Sequence, residues 1–129
     1  PATTASVSAA VDAGRRLGVP IVLDVPIAHL SQQWIREMEH VGVDGFAITT
    51  NIDLGVAGRH PLTSAEMVRT WTRLPVAVSG GFSTTDYSVI NSTEWDILIV
   101  GRSVTEAVQP ATVAKHLFSL VHEHKGIGC

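Results

Sequence analysis

Two apolar stretches of the sequence end in glycine residues at which a ligand could bind. PVAVSGGFS, Pro75–Ser83, runs into two glycines, and WDILIVGRS, Trp95–Ser103, ends in a glycine followed by an arginine. Glycine lets a ligand approach the main chain closely, and main-chain N–H groups at such bends suit an anion. A guanidinium adds a fork of donors that matches phosphate oxygens. These residue types predict a phosphate site made of Ser79, Gly80, Gly81, Gly101 and Arg102.

A purely structural interpretation of the same residues stays open. The two adjacent glycines could serve tight turns, while Arg102 pairs with Glu106 or with a carboxylate in the core. The segment SVTE places Ser103 and Glu106 at capping-box spacing, which predicts a short helix directly after the arginine. Two glycine bends, an arginine and a capped short helix together favour phosphate, because barrels of eight βα units commonly bind phosphate after their last two strands.

Four short apolar segments, which alternate with amphipathic segments of helical period, must position these residues. The predicted strands are Pro20–Val25, Asp44–Thr49, Pro75–Gly80 and Asp96–Gly101. The predicted helix boundaries are a stop at Gly18, a cap at Ser31, a capping box at Thr63 and Glu66, a short helix over Thr84–Ile90, and a start at Pro110. The predicted inward positions are Val7, Val11, Gly14, Leu17, Trp34, Ile35, Met38, Val41, Met67, Val68, Trp71, Val113, Leu117, Leu120 and Val121.

This alternation predicts an α/β fold with a parallel sheet covered by helices, and functional groups at the carboxyl ends of the strands. An open sheet and part of a TIM (β/α)8 barrel both satisfy the pattern. A complete barrel takes about 250 residues, so a chain of 129 residues makes half a barrel at most. We therefore expect one half-barrel domain, residues 1–129, completed by a partner half or by a missing amino-terminal half. Its open edges favour a homo-oligomer or a complementary chain.

Composition excludes several other classes of function. The net charge is −3, and the nine lysines and arginines are scattered, which argues against nucleic-acid or anionic-membrane binding. No apolar run approaches the roughly 18 residues of a membrane span, and the first residues do not have the pattern of a secretory signal. The single cysteine, Cys129, cannot form an internal disulfide. These features predict a cytoplasmic protein.

The segment DILIVGRSVTEAVQPATVAKHL resembles the last strand and helix of a known enzyme group. This is the 3-keto-L-gulonate-6-phosphate decarboxylase and 3-hexulose-6-phosphate synthase group of the orotidine-5′-phosphate decarboxylase superfamily, whose members are (β/α)8 barrels. PVAVSGG resembles its seventh strand, NIDLGVAGRHPL the loop after its sixth, and GVPIVLDV its fifth. The resemblance implies that the chain corresponds to strands five to eight.

The resemblance also implies a chemistry. Gly80, Gly81, Gly101 and Arg102 would bind the phosphate of a phosphorylated sugar, and Asp24 would face the sugar from the end of strand five. Members of the group are carbon–carbon lyases, decarboxylases or aldolases, that use a Mg²⁺-stabilised enediolate, and they are commonly dimers. The metal ligands of the group lie on strands that this chain does not contain, so no metal ligand is expected among its own residues.

The sequence departs from the group after the sixth strand. The group's pattern H-T-G-x-D-x-Q is replaced by TTNIDLG, residues 49–55, so that Thr49 stands for the proton-handling histidine and Gly55 for the glutamine. Threonine cannot act as a general acid near neutral pH as histidine does. Asp53 remains. The catalytic candidates are Asp24 and Asp53, and the further site candidates are Thr49, Arg59 and His60.

Each of these candidates also has a structural interpretation. Asp24 could form an ion pair or cap a loop, and Asp53 could cap its own loop. A lone loop histidine such as His60 is more often solvated than catalytic. Three functions remain open at this level: a sugar-phosphate lyase half, a phosphate-ester-binding module or pseudoenzyme without the chemistry, and a related reaction of the ribulose-phosphate epimerase or orotidine-phosphate decarboxylase type.

Overall fold

The computed structural model describes residues 2–50 and 62–125, which form a parallel sheet packed against helices. The strands are β1 (Val22–Asp24), β2 (Gly45–Thr49), β3 (Val76–Ser79) and β4 (Ile97–Leu98). They lie in the order β1-β2-β3-β4, and each is parallel to its neighbour. The predicted α/β fold with four parallel strands is therefore confirmed.

The helices follow the strands as the alternating pattern predicts. They are α1 (Thr4–Leu17), a 3-10 turn (Ile27–His29), α2 (Gln32–Val41), α3 (Thr63–Trp71), α4 (Tyr87–Ile90), α5 (Arg102–Thr105) and α6 (Pro110–Lys125). Gly18 ends α1 in the left-handed region, and the Ser31 hydroxyl caps α2 by accepting from the Trp34 N–H. None of the helices in the two described ranges combines the length and the apolar character that a membrane span requires.

Both predicted capping boxes are wrong. Thr63 is the first residue of α3 and Leu62 is its cap. Ser103 is the second residue of α5, after a cap at Gly101. The spacing of a capping box fixes only which residues could pair, whereas the chain direction at the preceding strand or loop decides where the helix begins. The short helix predicted from Thr84 begins at Tyr87 instead.

The hydrophobic core lies between the helices and one face of the sheet. Phe46 and Ile48 of β2 and Val76 and Val78 of β3 are all at most 2% exposed. Because side chains alternate between the faces of a strand, these four share one face, which we call the helix-covered face. Most predicted inward positions contribute to this core, but Leu17 and Met67 are exposed. Leu17 lies in the last turn of α1, and α3 packs through Ala65 and Val68 instead.

The opposite face of the sheet, called here the open face, is apolar but partly exposed. It carries Val22, Ala47, Ala77, Ile97 and Ile99, with Asp24, Thr49 and Ser79 toward the carboxyl ends. Val22, Ile97 and Ile99 are each close to half exposed. Among the described residues the sheet is thus covered by helices on one face, and β1 and β4 each have a paired neighbour on one side only.

One ion pair joins α3 to both of the last two strands. The Arg69 guanidinium donates to both carboxylate oxygens of Asp96, at 2.5 and 2.9 Å. The same carboxylate accepts from the main-chain N–H of Val76, at 2.8 Å. The carboxylate therefore holds α3, the start of β3 and the start of β4 together.

Candidate functional site

The two glycine bends lie side by side in the structure. The Ser103 hydroxyl, from the bend after β4, donates to the main-chain carbonyl of Phe82, from the bend after β3, at 2.6 Å. Beside this contact is an open cavity of about 420 Å³. Its lining residues are Gly81, Arg102, Ser103, Glu106 and Ala107. The adjacency on which the predicted phosphate site depends is therefore present.

Gly80 and Gly81 have main-chain conformations that favour glycine. Their φ angles are 152° and 76°, and the described residues have positive φ only at glycines. A Cβ at Gly80 would overlap the main-chain carbonyl and the hydroxyl of Thr50. Thr50 is held there because its N–H and its hydroxyl both donate to the Ser79 carbonyl, at 2.7 and 3.1 Å. A glycine is therefore needed at position 80 for a structural reason, to let the chain pass close to Thr50, whereas Gly81 lines the cavity.

Gly101 and Arg102, in the bend after β4, do not avoid a steric clash as Gly80 does. Gly101 has a negative φ of −110°, and a Cβ there would meet nothing within 4 Å. Its lack of a side chain leaves open space rather than relieving a clash. Arg102 begins α5, is exposed, and lines the cavity. A guanidinium at that position can offer two parallel donors to an anion in the cavity.

The other described candidates lie along the carboxyl ends of the strands. Thr49 is in register with Ser79, and their hydroxyl oxygens are 3.3 Å apart. Asp24 ends β1 opposite Ala47 and is exposed. Because these three positions share the open face, they form a polar rim at one end of the sheet. They do not line the cavity around Arg102. The candidates Asp53, Arg59 and His60 lie outside the described residues.

Sequence reasoning missed part of the cavity wall. Ser103 and Glu106 were expected to cap a helix, yet the first joins the two bends and the second lines the cavity. Ala107 completes the wall and has no polar group that a motif could reveal. Ser103 could have been predicted as a residue of this site, because it directly follows Arg102 in the sequence. Glu106 places a carboxylate on the wall, which opposes the binding of an anion.

The described residues do not fit the Mg²⁺ that the resemblance implies. Within residues 2–50 and 62–125, no three histidine, cysteine, aspartate or glutamate side chains come together as a metal would require. Mg²⁺ takes several oxygen ligands, and an isolated carboxylate such as Asp24 would supply at most one of these ligands. No step of the chemistry is therefore assigned to a metal held by these residues.

No protein-family model matches the chain, but comparison with known proteins finds relatives that share one name, 3-hexulose-6-phosphate synthase. The chain is 29% identical over 124 residues to 3-hexulose-6-phosphate synthase 2 of Staphylococcus saprophyticus, covering 95% of this chain and 58% of the relative. The crystal structure of 3-hexulose-6-phosphate synthase from Salmonella typhimurium matches with a TM-score of 0.80 at 26% identity, over 95% of this chain and 58% of the other.

A third match is a crystal structure of KGPDC from Streptococcus mutans, with a TM-score of 0.75 at 18% identity, over 95% of this chain and 57% of the other. At that identity the likeness is one of fold. The chain thus spans a little over half the length of the relatives it matches. These findings confirm the resemblance predicted from the sequence.

Proposed function

We propose, from its resemblance to the 3-keto-L-gulonate-6-phosphate decarboxylase and 3-hexulose-6-phosphate synthase group, that this chain binds the phosphate of a phosphorylated sugar. In this proposal the four βα units correspond to strands five to eight of a TIM barrel. The complete barrel would be a carbon–carbon lyase of the decarboxylase or aldolase type. The relatives named 3-hexulose-6-phosphate synthase support that reaction class.

The observation that carries the proposal is the cavity where the two glycine bends meet. Its wall combines a guanidinium and a glycine without a side chain, from Arg102 and Gly81. Because Ser103 is bonded to Phe82, the two bends hold a fixed spacing before any ligand arrives. A site that is formed in advance loses less conformational entropy when an anion binds. Phosphate is an anion whose oxygens match a guanidinium in two places.

The polar rim can receive the rest of a sugar phosphate. With the phosphate in the cavity, the sugar would extend over the carboxyl ends of the strands toward Thr49, Ser79 and Asp24. The Asp24 carboxylate accepts hydrogen bonds, and the two hydroxyls both donate and accept, so all three suit sugar hydroxyls. Asp53 stays a catalytic candidate from the sequence. The phosphate would then hold the sugar in one orientation, which is the contribution of remote binding to catalysis.

Thr49 favours a second candidate function, a phosphate-ester-binding module without catalysis. Where the group has a proton-handling histidine, this chain has a hydroxyl that lies 3.3 Å from another hydroxyl. Neither group exchanges a proton readily near neutral pH. In this case the chain binds the sugar phosphate and forms no product. An epimerase-like or orotidine-phosphate decarboxylase activity would give product from a different substrate.

The first prediction concerns Arg102. Isothermal titration calorimetry with fructose 6-phosphate should give binding that fructose alone does not give, because only the ester carries the dianion. Arg102→Ala should weaken this binding by about tenfold to a hundredfold, the range for a charge-assisted hydrogen bond. Arg73→Ala is the matched control, since Arg73 is an exposed arginine just before β3, at the amino end of the sheet.

Two results would contradict the proposal. One is equal binding of the sugar and its phosphate, and the other is an equal loss of affinity in the two arginine variants. Because the metal ligands of the group lie on strands outside this chain, product assays separate the candidate functions once a complementary half has been added to complete the barrel. Binding without release of formaldehyde or carbon dioxide from hexulose or ketogulonate phosphates favours the non-catalytic module, whereas turnover favours the lyase.

A second prediction follows from the carboxylate on the cavity wall. Glu106→Gln removes a negative charge that repels a phosphate dianion, so the affinity for fructose 6-phosphate should rise by roughly two- to fivefold at low salt. The gain should shrink as salt is added, because ions screen an exposed charge. Glu66→Gln on α3 is the control and should change little. An unchanged or lower affinity in Glu106→Gln would place the phosphate away from this cavity.

A further inference from the structure

The peptide group between Phe82 and Ser83, in the bend after β3, is held at both of its ends. Its carbonyl oxygen accepts from the Ser103 hydroxyl, and its N–H, that of Ser83, donates to the Asp86 carboxylate, each at 2.6 Å. Because the C=O and the N–H of a trans peptide point in opposite directions, restraints on both of them hold the group in one orientation. The bend therefore contains a fixed peptide one residue after its two glycines.

The Asp86 side chain serves this bend rather than the helix that follows it. Asp86 is the cap residue of α4, a position at which a carboxylate commonly accepts from the first N–H groups of a helix, but its side chain makes no such bond. The carboxylate instead turns back and accepts from both the N–H and the hydroxyl of Ser83, at 2.6 and 3.0 Å. Asp86 is thus bonded to the bend, although it does not line the cavity around Arg102.

The two glycines of the bend keep one conformation only if their neighbours are fixed. Glycine has more main-chain freedom than any other residue, and both glycines have positive φ here. Thr50 restrains the amino side of the pair through its contact at Gly80, and the fully buried side chain of Phe82 restrains the other side. Between them Gly81 lines the cavity, and within residues 2–50 and 62–125 its N–H donates to no acceptor. That N–H is available to a ligand in the cavity.

We propose that Asp86 is a positioning residue of the phosphate site, an inference that rests on the function proposed above. By holding the peptide between Phe82 and Ser83, its carboxylate fixes the direction in which the bend presents the Gly81 N–H beside Arg102. The sign of the effect is distinctive. A carboxylate near an anion opposes its binding, so loss of the charge alone would raise the affinity, whereas loss of the positioning bond lowers it.

Isothermal titration calorimetry with fructose 6-phosphate tests this role. Asp86→Ala should weaken the affinity by roughly three- to tenfold, because the ligand must then order a main-chain segment that is already ordered in the wild-type chain. Asp86→Asn retains a side-chain oxygen that accepts from the Ser83 N–H, so its affinity should stay within about twofold of wild type. Circular dichroism spectra show whether each variant is folded.

Asp44→Ala is the matched control for Asp86→Ala. The Asp44 carboxylate also accepts from a main-chain N–H, that of Ile21, at 2.7 Å. This bond lies at the amino end of the sheet, away from the cavity, so its loss should lower stability and leave the affinity for fructose 6-phosphate unchanged.

Ser103→Ala gives a second measurement that does not depend on the folding of Asp86→Ala. It releases the other end of the same peptide and should weaken binding by a similar factor. The double variant should lose less affinity than the two single losses combined, because a peptide released at one end gains little further freedom when the other end is released.

The possible results separate this inference from the proposed function. If the wild-type chain binds fructose 6-phosphate but Asp86→Ala binds it as well or better, or loses no more than Asp44→Ala, the role of Asp86 is overturned and the phosphate site remains. Independent losses in the double variant would also overturn that role. A wild-type chain that does not bind fructose 6-phosphate would refute the proposed function and this inference together.

Discussion

Gly80→Ala is expected to lower the free energy of unfolding by about 2–4 kcal/mol. Two costs combine at this position. The φ of 152° lies in a region that side chains rarely adopt, and an added Cβ overlaps the main chain of Thr50. Thr50 cannot move aside cheaply, since its N–H and hydroxyl both bond to the Ser79 carbonyl. Urea denaturation measures the loss.

Substitutions at two other glycines measure the cost of the main-chain conformation and the cost of the steric overlap separately. Gly18 has a φ of 67° but open space around its Cβ position, so Gly18→Ala should cost only about 1 kcal/mol, for the left-handed conformation. At Gly101 an added Cβ would meet nothing within 4 Å, so Gly101→Ala has no overlap cost and should lower stability less than Gly80→Ala does. A loss in Gly80→Ala no larger than in Gly101→Ala would show that the contact with Thr50 does not constrain the bend.

Asp96→Ala is expected to cost about 2–3 kcal/mol, because it removes one acceptor from two partners. The N–H of the fully buried Val76 would lose its bond to this carboxylate, and an unmade bond of that kind costs about 1–3 kcal/mol. The Arg69 guanidinium would lose both of its bonds to the same group. The partly exposed ion pair itself adds less, roughly 1 kcal/mol or below.

Arg69→Ala is the matched control for this prediction. It removes the ion pair but leaves the carboxylate to accept from Val76, so its cost should be about 1 kcal/mol, well below that of Asp96→Ala. Denaturation curves of both variants give the comparison. If the two substitutions cost the same, the ion pair is the important contact, and the main-chain bond to Val76 contributes little.

Much of the fold follows from sequence patterns that depend on short stretches of chain. Runs of apolar residues between helical segments predicted four parallel strands, and β2 and β3 lie within one or two residues of their predicted bounds. The predicted strand over Asp96–Gly101 reaches only Ile97–Leu98. Strand length depends on a paired neighbour as well as on apolar character, and β4 has one paired neighbour in the described residues. The pattern itself contains no information about such a neighbour.

The position of the candidate site was predictable from the sequence, but the contacts within it were not. Glycine and arginine at the ends of two neighbouring strands predicted adjacent bends, because the carboxyl ends of parallel strands lie at one edge of a sheet. The bond from Ser103 to Phe82 was not predictable, since it joins residues on different bends. For the same reason, sequence could not separate Gly80, which avoids a clash, from Gly101, which borders open space.

The strict order of the strands has a consequence for how the chain acquires its structure. Paired residues on neighbouring strands lie roughly 20 to 30 positions apart in sequence, and pairs between more distant strands are absent from the described sheet. Low sequence separation favours rapid folding, because little loop entropy is lost before contacts form. Each unit can therefore condense on the one before it while the ribosome is still extending the chain.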